Sequence, residues 1–532
     1  MLDLKILGGA LIDGTGAPGR RADVGITGDV IAAIGDLGQE PAGRTIDAAG
    51  LTVAPGFIDM HSHSDWRLWG NPRAESKVRQ GVTTEVVGNC GFSPAPVSAE
   101  SRDHMKSFAL SLPPGMDFSW RSMGEYLRRY RDVGVALNVV QLVGHGTVRL
   151  AAMGFARRPP TASELGTMER LMDQSMADGA WGLATGLIYA PGSYADTEEI
   201  IAIARRAARG GFYASHIRGE GRTLLDAVAE AIRVGREGGL PVQVSHIKAA
   251  GRPNWGKVEA ALRLIDAARG EGQDVMADVY PYTASSTSLR TLLPDWALEG
   301  GIDAMLERLR DPGTRDRIRA EMTDGSAILA RGLGWDDIMI ASAPSRPEVQ
   351  GRRIGEIASA AGKDPLDSAM DILEAERGGA SIILFQLDEA DLRRALAHPH
   401  VMIGSDGSAL AADGEMAAGK PHPRSYGTFP RVLARYVREQ ALLSLEQAVW
   451  KMTGLPARRL GLADRGVLAV GAKADVVALD ATAVEDHATY DDPHRYAAGL
   501  PYVLVNGRVV IDRGEHTGAL PGRVLACPQR QA

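Results

Sequence analysis

Cysteine is scarce in this chain, with only Cys90 and Cys527 in 532 residues. That count excludes a disulfide framework and makes a reducing compartment, the cytoplasm, the expected location. No uncharged apolar run reaches the roughly 18 residues of a membrane helix. The opening stretch MLDLKILGGALIDG mixes acids and glycines into a short apolar run. It lacks the basic start and long apolar core of a secretory signal. There is no basic tract, internal repeat or low-complexity segment, and the net charge is -7 at pH 7. This balance argues against nucleic-acid and membrane partners and leaves a small-molecule substrate as the expected partner. A homo-oligomer stays open.

What is present is an ordinary globular composition, 45% hydrophobic and 23% charged, in a length that allows one large domain and a smaller one. Residues 1–55 read as short strands at 6–12, 24–26, 31–34 and 51–53, with Gly or Asp between them. Residues 460–532 have the same texture, with strands at 475–479 and 502–511. Asn506-Gly507 inside the second is a strong hairpin signal. The expectation is that both ends pair into one small β domain; two separate decorations are the alternative.

The middle, 56–459, alternates strands with helices. Strand-like runs end near His63, Cys90, His145, Gly186, His216, His246, Tyr280 and Asp406. Eight is the number a (β/α)8 barrel needs. His63 and Cys90 are 27 positions apart, His216 and His246 are 30 apart, and His246 and Tyr280 are 34 apart. Each interval is close to one strand-plus-helix unit. Residues 223–238 and 257–269 carry the apolar spacing of amphipathic helices. The 126 positions from Tyr280 to Asp406 are too many for one unit, so an insertion is expected at about 285–345. A strand candidate at 381–387 has no evident place.

Six residues of metal-binding type each end an apolar run. Phe57-Ile58-Asp59-Met60 leads into His61-Ser62-His63, and Val86-Val87 leads towards Cys90. His216, His246 and Asp406 close three later runs. Alternate residues of a strand face one side, so His61 and His63 can grip one ion. Zinc takes imidazole, thiolate and carboxylate, and this set holds those types and no others. Taken singly, a strand-end His is commonly a hydrogen-bonded structural residue, a lone Cys a small hydrophobe, and an Asp before Gly a turn former. Six matches at the same rim point instead to a metal-dependent hydrolase. His145, in Val143-Gly144-His145-Gly146, is a seventh ligand, a support for a ligand, or a substrate contact. His104, His398, His400, His487, His494 and His516 lie in helical or loop contexts and are expected at the surface.

The segments PGFIDMHSHSD, GNCGFSPAP, SHIRGEG, SHIKAAG, DVYPYTASST, IGSDG and HPRSYGTFPR resemble the D-aminoacylase family across essentially the whole chain. These are N-acyl-D-amino-acid deacylases of the amidohydrolase superfamily. DGTG at 13–16, the Gly466-to-Asp475 pattern and VNG at 505–507 are superfamily-wide; GNCG, SHIK and HPRxYGTF are narrower. The resemblance implies a TIM barrel beside a small β-sandwich built from both chain ends, with an insertion subdomain lying over the site like a lid. It implies that Cys90 takes the place of the carbamylated lysine of many relatives. Cys90, His216 and His246 would then hold a tight zinc. His61 and His63 would hold a second, weaker divalent metal, and Asp406 would be the catalytic acid/base. Asp406 as a metal ligand or ligand-orienting group is the alternative.

The expected reaction is hydrolysis of an N-acyl-D-amino acid to a D-amino acid and a carboxylic acid. The D preference comes from the resemblance alone. A substrate α-carboxylate suits a bidentate Arg, and Arg424 is the candidate. Lys248 is a second cation, two residues past His246. Tyr280 or Tyr282 can donate a phenolic hydrogen bond, and Tyr189 can line an acyl pocket. The alternative is an amidohydrolase of another amide (cyclic amide, dipeptide or amide-linked xenobiotic), which keeps the metal site but does not need Lys248 and Arg424. The stretch 407–423 is longer than the family pattern leads one to expect, and its Ala and Gly content suggests mobility.

Overall fold

The computed structural model describes residues 1–108, 116–323 and 332–528. Its centre is two arcs of parallel strands. Phe57–Asp59, Val82–Val87 and Asn138–Gln141 form a three-stranded sheet. Val143–Gly144, Gly182–Gly186, Phe212–His216, Val242–Val244, Val275–Val279 and Val401–Ile403 form a six-stranded sheet in chain order. The chain passes from one arc to the other through Leu142, whose N–H donates to Val87 O. On the far side Ser62 and Gly407 form a parallel bridge, and Asp406 N–H donates to His61 O at 2.7 Å.

Parallel neighbours need crossover connections, and here these are helices. Ala162–Ala177, Thr197–Ala207, Leu224–Gly238, Lys257–Gly270 and Glu389–Ala397 fill that role. The strands are buried on both faces, as such sheets require. The period of two shows in which cluster each residue joins. Val139, Val275, Ala277, Val401 and Ile403 pack in the larger core with the helices. Their neighbours Val140, Met276 and Met402 join Ile58, Val86 and Phe212 in a second cluster on the opposite face.

Between Val279 and Val401 the chain builds a further unit. Ser285–Ser288, Ser381–Leu384 and Ile338–Ser342 form an antiparallel sheet with Ser381–Leu384 in the middle. The unit has its own core, which includes Leu289, Leu306, Ile340, Ile354, Leu373 and Ile382. This core continues past position 345 because the first strand pairs with the last. The strand candidate at 381–387 thereby finds its place. Residues 324–331 of the expected insertion lie outside the described residues.

The two chain ends share a seven-stranded sheet, in which Val476–Leu479 runs antiparallel to Thr52–Pro55. Asn506 and Gly507 both have positive φ, 48° and 75°, between the paired Val505 and Arg508. That is the backbone a tight hairpin demands. A four-stranded sheet, with Leu2–Leu7 and Asp23–Thr27 among its strands, contributes Leu4, Ile6, Val24 and Ile26 to a core shared with Val53, Val476 and Leu504. Among the described residues no helix is long and apolar enough to cross a membrane.

Candidate active site

The six donor residues converge at the carboxyl ends of the parallel strands. Cys90 Sγ lies 3.3 Å from His61 Nε2, 3.6 Å from His216 Nδ1 and 3.5 Å from His246 Nε2. Asp406 Oδ1 lies 2.9 Å from His63 Nε2 and 3.5 Å from His61 Nε2. The ligand atoms fall into two groups that share Cys90. One is Cys90, His216 and His246; the other is His61, His63, Cys90 and Asp406, and within each group the atoms lie within 4.8 Å of one another.

Backbone shape delivers these side chains. Cys90, His246 and Asp406 have φ of 52°, 35° and 51°, in the left-handed region. Non-glycine residues there cost on the order of 1–3 kcal/mol each and persist where the surroundings over-determine them. The GNCG segment shows how tight that is. Gly91 has φ 82°, and a Cβ on it would stand 2.6 Å from Gly186 N.

The donor set fits a divalent metal. With zinc at about 2.3 Å from sulfur and about 2.0 Å from nitrogen, tetrahedral donors stand about 3.5 Å apart. The Cys90–His216 and Cys90–His246 separations match that figure. The electrostatics point the same way. Burial would raise the Cys90 thiol, but the imidazoles of His61, His63 and His246 outweigh it and hold the group well below its ordinary value. Burial would lower His63, but the Cys90 thiolate and Asp406 hold it up at about 9. Asp406 is held well below the usual carboxylate range, because Arg424 and the histidines outweigh burial. Burial holds His216 below its ordinary value, but His61, His63 and His246 are all held above theirs, and a cluster that pulls protons onto three of its four histidines is one that attracts positive charge.

Behind the donors stand residues that the sequence pattern did not single out. Glu220 Oε1 lies 3.3 Å from His246 Nδ1, 3.6 Å from His216 Nε2 and 2.6 Å from Lys248 Nζ. A carboxylate behind metal-binding imidazoles fixes their orientation. Glu220 sits four positions after His216 in SHIRGEG, and that spacing was the available signal. Asp278 Oδ1 accepts from His246 N–H at 2.8 Å and lies 3.2 Å from His61 Nδ1. Its signal was its position two residues before Tyr280.

Above the cluster opens a cavity of about 690 Å³. His63, Cys90, His216, His246 and Asp406 reach it, as do Lys248, Tyr280, Tyr189 and Arg424. Ser285–Ser288 of the inserted sheet form part of its wall. Arg424 makes an ion pair with Asp406 Oδ2 at 2.7 Å, and its guanidinium lies 4.9 Å from the Tyr280 ring centre. Tyr280 Oη is buried and has no hydrogen-bond partner among the described residues. The Tyr189 ring stands 5.0 Å from that of His216, and its hydroxyl lies 3.1 Å from Thr287 Oγ1. Lys248 is engaged by Glu220 and by His246 Nδ1, at 2.7 Å from the latter.

His61 lies beneath the cavity rather than on its lining, and two expected substrate contacts lie off it. Tyr282 turns away and donates to Asp486 Oδ2 at 3.0 Å. His145 opens the helix His145–Met153, where its Nε2 meets Glu199 Oε1 at 2.9 Å. None of His104, His398, His400, His487, His494 and His516 lines the cavity. The stretch 407–423 is anchored near its start, where Leu410 is buried with Tyr426 and Ala488 and Tyr426 Oη donates to Ala411 O at 2.7 Å, while its middle, Asp413 to Glu415, is exposed.

Residues 44–511 match the Amidohydrolase family, and the chain belongs to it. It is 42% identical to D-aminoacylase of Alcaligenes xylosoxydans xylosoxydans over 98% of this chain and 97% of the relative. It is 43% identical to N-acyl-D-glutamate deacylase of the same organism, over 98% of this chain and 96% of the relative. Among solved structures it is similar to N-acyl-D-glutamate deacylase from Bordetella bronchiseptica, complexed with zinc and a phosphonate inhibitor that mimics the tetrahedral intermediate of the reaction. That match has a TM-score of 0.83 and 39% identity and covers 99% of both chains.

Proposed function

We propose that this chain hydrolyses the amide bond of N-acyl-D-amino acids, giving a D-amino acid and a carboxylic acid. The observation that carries this reading is the Cys90–His216–His246 donor set at tetrahedral spacing, on the floor of a cavity that also holds Arg424 and Lys248. The relatives' activities supply the D configuration. In this reading those three residues hold a tight zinc, and His61, His63 and Asp406, with Cys90, hold a second divalent ion.

Bound zinc supplies the nucleophile at neutral pH, by lowering the pKa of water from about 15.7 to about 7, and polarises the scissile carbonyl. The protein's own residues do the rest. Asp406 takes the proton as the water oxygen bonds to the acyl carbon. It delivers that proton to the amide nitrogen as the C–N bond breaks. Arg424 and the Tyr280 hydroxyl receive the α-carboxylate, and Lys248 adds positive charge beside them. Tyr189 borders the acyl end. The two arcs of strands, within 56–459 and with Asn138–Gln141 and Val143–Gly144 counted as one strand broken at Leu142, close into a (β/α)8 barrel. Residues 1–55 and 460–532 make a β-sandwich domain, and the inserted unit walls the substrate.

The test is turnover of N-acetyl-D- and N-acetyl-L-amino acids with and without a chelator. D-substrate turnover should vanish on chelation and return with zinc. A zinc-loaded chain that turns over none of them sinks the proposal. Arg424→Ala should lower kcat/KM on N-acetyl-D-amino acids by about 10- to 100-fold, the worth of a charged hydrogen bond. Neutral amides should lose less, only the part that comes through the ion pair to Asp406, and equal loss on both would refute the carboxylate role.

A further inference from the structure

Lys77 is fully buried on the short helix Glu75–Val78 and does not reach the cavity. A buried ammonium needs close anionic partners, and this one has them. Its Nζ lies 2.8 Å from Asp59 Oδ2 and 3.1 Å from Glu85 Oε1, and it donates to Ser405 Oγ at 2.6 Å. Each partner leads to a different piece of the donor rim. Asp59 Oδ1 accepts from the backbone N–H of Ser405 at 2.8 Å and of His61 at 3.3 Å. Glu85 Oε1 accepts from Ser62 Oγ at 2.7 Å and Ser64 Oγ at 2.9 Å, on either side of His63. Ser405 Oγ donates to Asp59 Oδ2 at 2.6 Å and accepts from Gly407 N–H at 3.0 Å, on either side of Asp406.

We infer that Lys77 is a positioning residue for the His61–His63–Asp406 half of the rim. One ammonium ties the segment carrying both histidines to the segment carrying Asp406. It thereby supplies the over-determination that the left-handed backbone of Asp406 requires. No hydrogen bond of this network ends on Cys90, His216 or His246. Lys77 touches neither substrate nor the reacting atoms and acts through Asp59, Glu85 and Ser405. The inference rests on the reading that the rim holds zinc, and it assigns Lys77 to one half of the rim only.

The test is equilibrium dialysis of the metal-stripped protein against zinc, for wild type and Lys77→Met, beside steady-state kinetics. Wild type should show two binding classes. Lys77→Met should keep the tight class and weaken the other by about tenfold or more, the usual scale for residues behind ligands. Its kcat on an N-acetyl-D-amino acid should fall while KM stays within about twofold, because misplacing a reacting group costs rate rather than binding. Equal weakening of both classes, or no change in either, overturns the inference. If Lys77→Met does not fold, Ser405→Ala decides, since it removes the hydroxyl that joins Lys77 and Asp59 to Gly407 N–H and keeps all three charges, with only the backbone bond from Ser405 to Asp59 left of this network between the two segments. It should weaken the second class and lower kcat with its thermal midpoint close to wild type; unchanged zinc binding refutes the inference. A wild-type chain that takes up no zinc sinks the functional reading as well, whereas an unaltered second class in the variants sinks this inference alone.

Discussion

The two halves of the donor cluster share Cys90 but are held in different ways. Around His216 and His246 the support is compact, with Glu220 facing both rings and Lys248 neutralising it. The donors already stand at the spacing of a bound ion. Around His61, His63 and Asp406 the support spans the junction of the two strand arcs, and the acid already has partners in Arg424 and His63. The first half is a finished socket. In the second, Asp406 is paired with buried Arg424 and with His63, itself one of the donors. On the proposed function, the first half would hold its metal more tightly than the second.

Four changes sharpen or break this contrast. Cys90→Ala, which strikes both halves, should bring turnover to background and remove all bound zinc; metal analysis beside kinetics checks it, and retained tight zinc would break the contrast. Asp406→Asn should lower kcat by about 10²- to 10⁴-fold, the scale of a lost acid/base, while tight zinc remains. Loss of that zinc would show that the halves are not separate. Glu220→Gln should weaken the tight zinc by about 10- to 100-fold and leave the weaker class unchanged, as read by competition with a chelator.

The smallest effect concerns His422, beside Arg424. Burial and the Arg424 guanidinium hold its imidazole well below the ordinary value of 6.5. Its Nδ1 accepts from Arg424 N–H at 3.1 Å, and its Nε2 lies 3.0 Å from Ala284 O. The folded chain therefore refuses a proton that the unfolded chain takes up below about pH 6.5. This contribution to stability is fully present above that pH and is lost as pH falls below it, with a slope of at most about 1.4 kcal/mol per pH unit. Urea midpoints at pH 7.5 and 5.5 should differ less in His422→Gln than in wild type. An unchanged difference would show that His422 is protonated in the fold.

The donors were legible because their chemistry is distinctive and recurs at one place, the end of each apolar run. What escaped was set by contacts that the strand period does not carry. Glu220 and Asp278 act from behind the donors, and an acid near a strand end is common. Tyr280 and Tyr282 look equivalent by alternation. But the strand stops at Val279, and Tyr282 N–H folds back onto Tyr280 O at 3.0 Å, so the two rings part. His145 shares the register of the donors but begins a helix and turns to Glu199. The far end of the insertion was hidden because Ser381–Leu384 pairs with strands far away in sequence.

Cys90, His246 and Asp406 occupy backbone conformations that glycine alone adopts without penalty, yet glycine offers nothing to a metal. At these three positions foldability and chemistry are opposed, and no single substitution serves both. Engineering this scaffold for heat tolerance therefore has to leave its donor loops taut and find its gains in the helices and the two outer sheets.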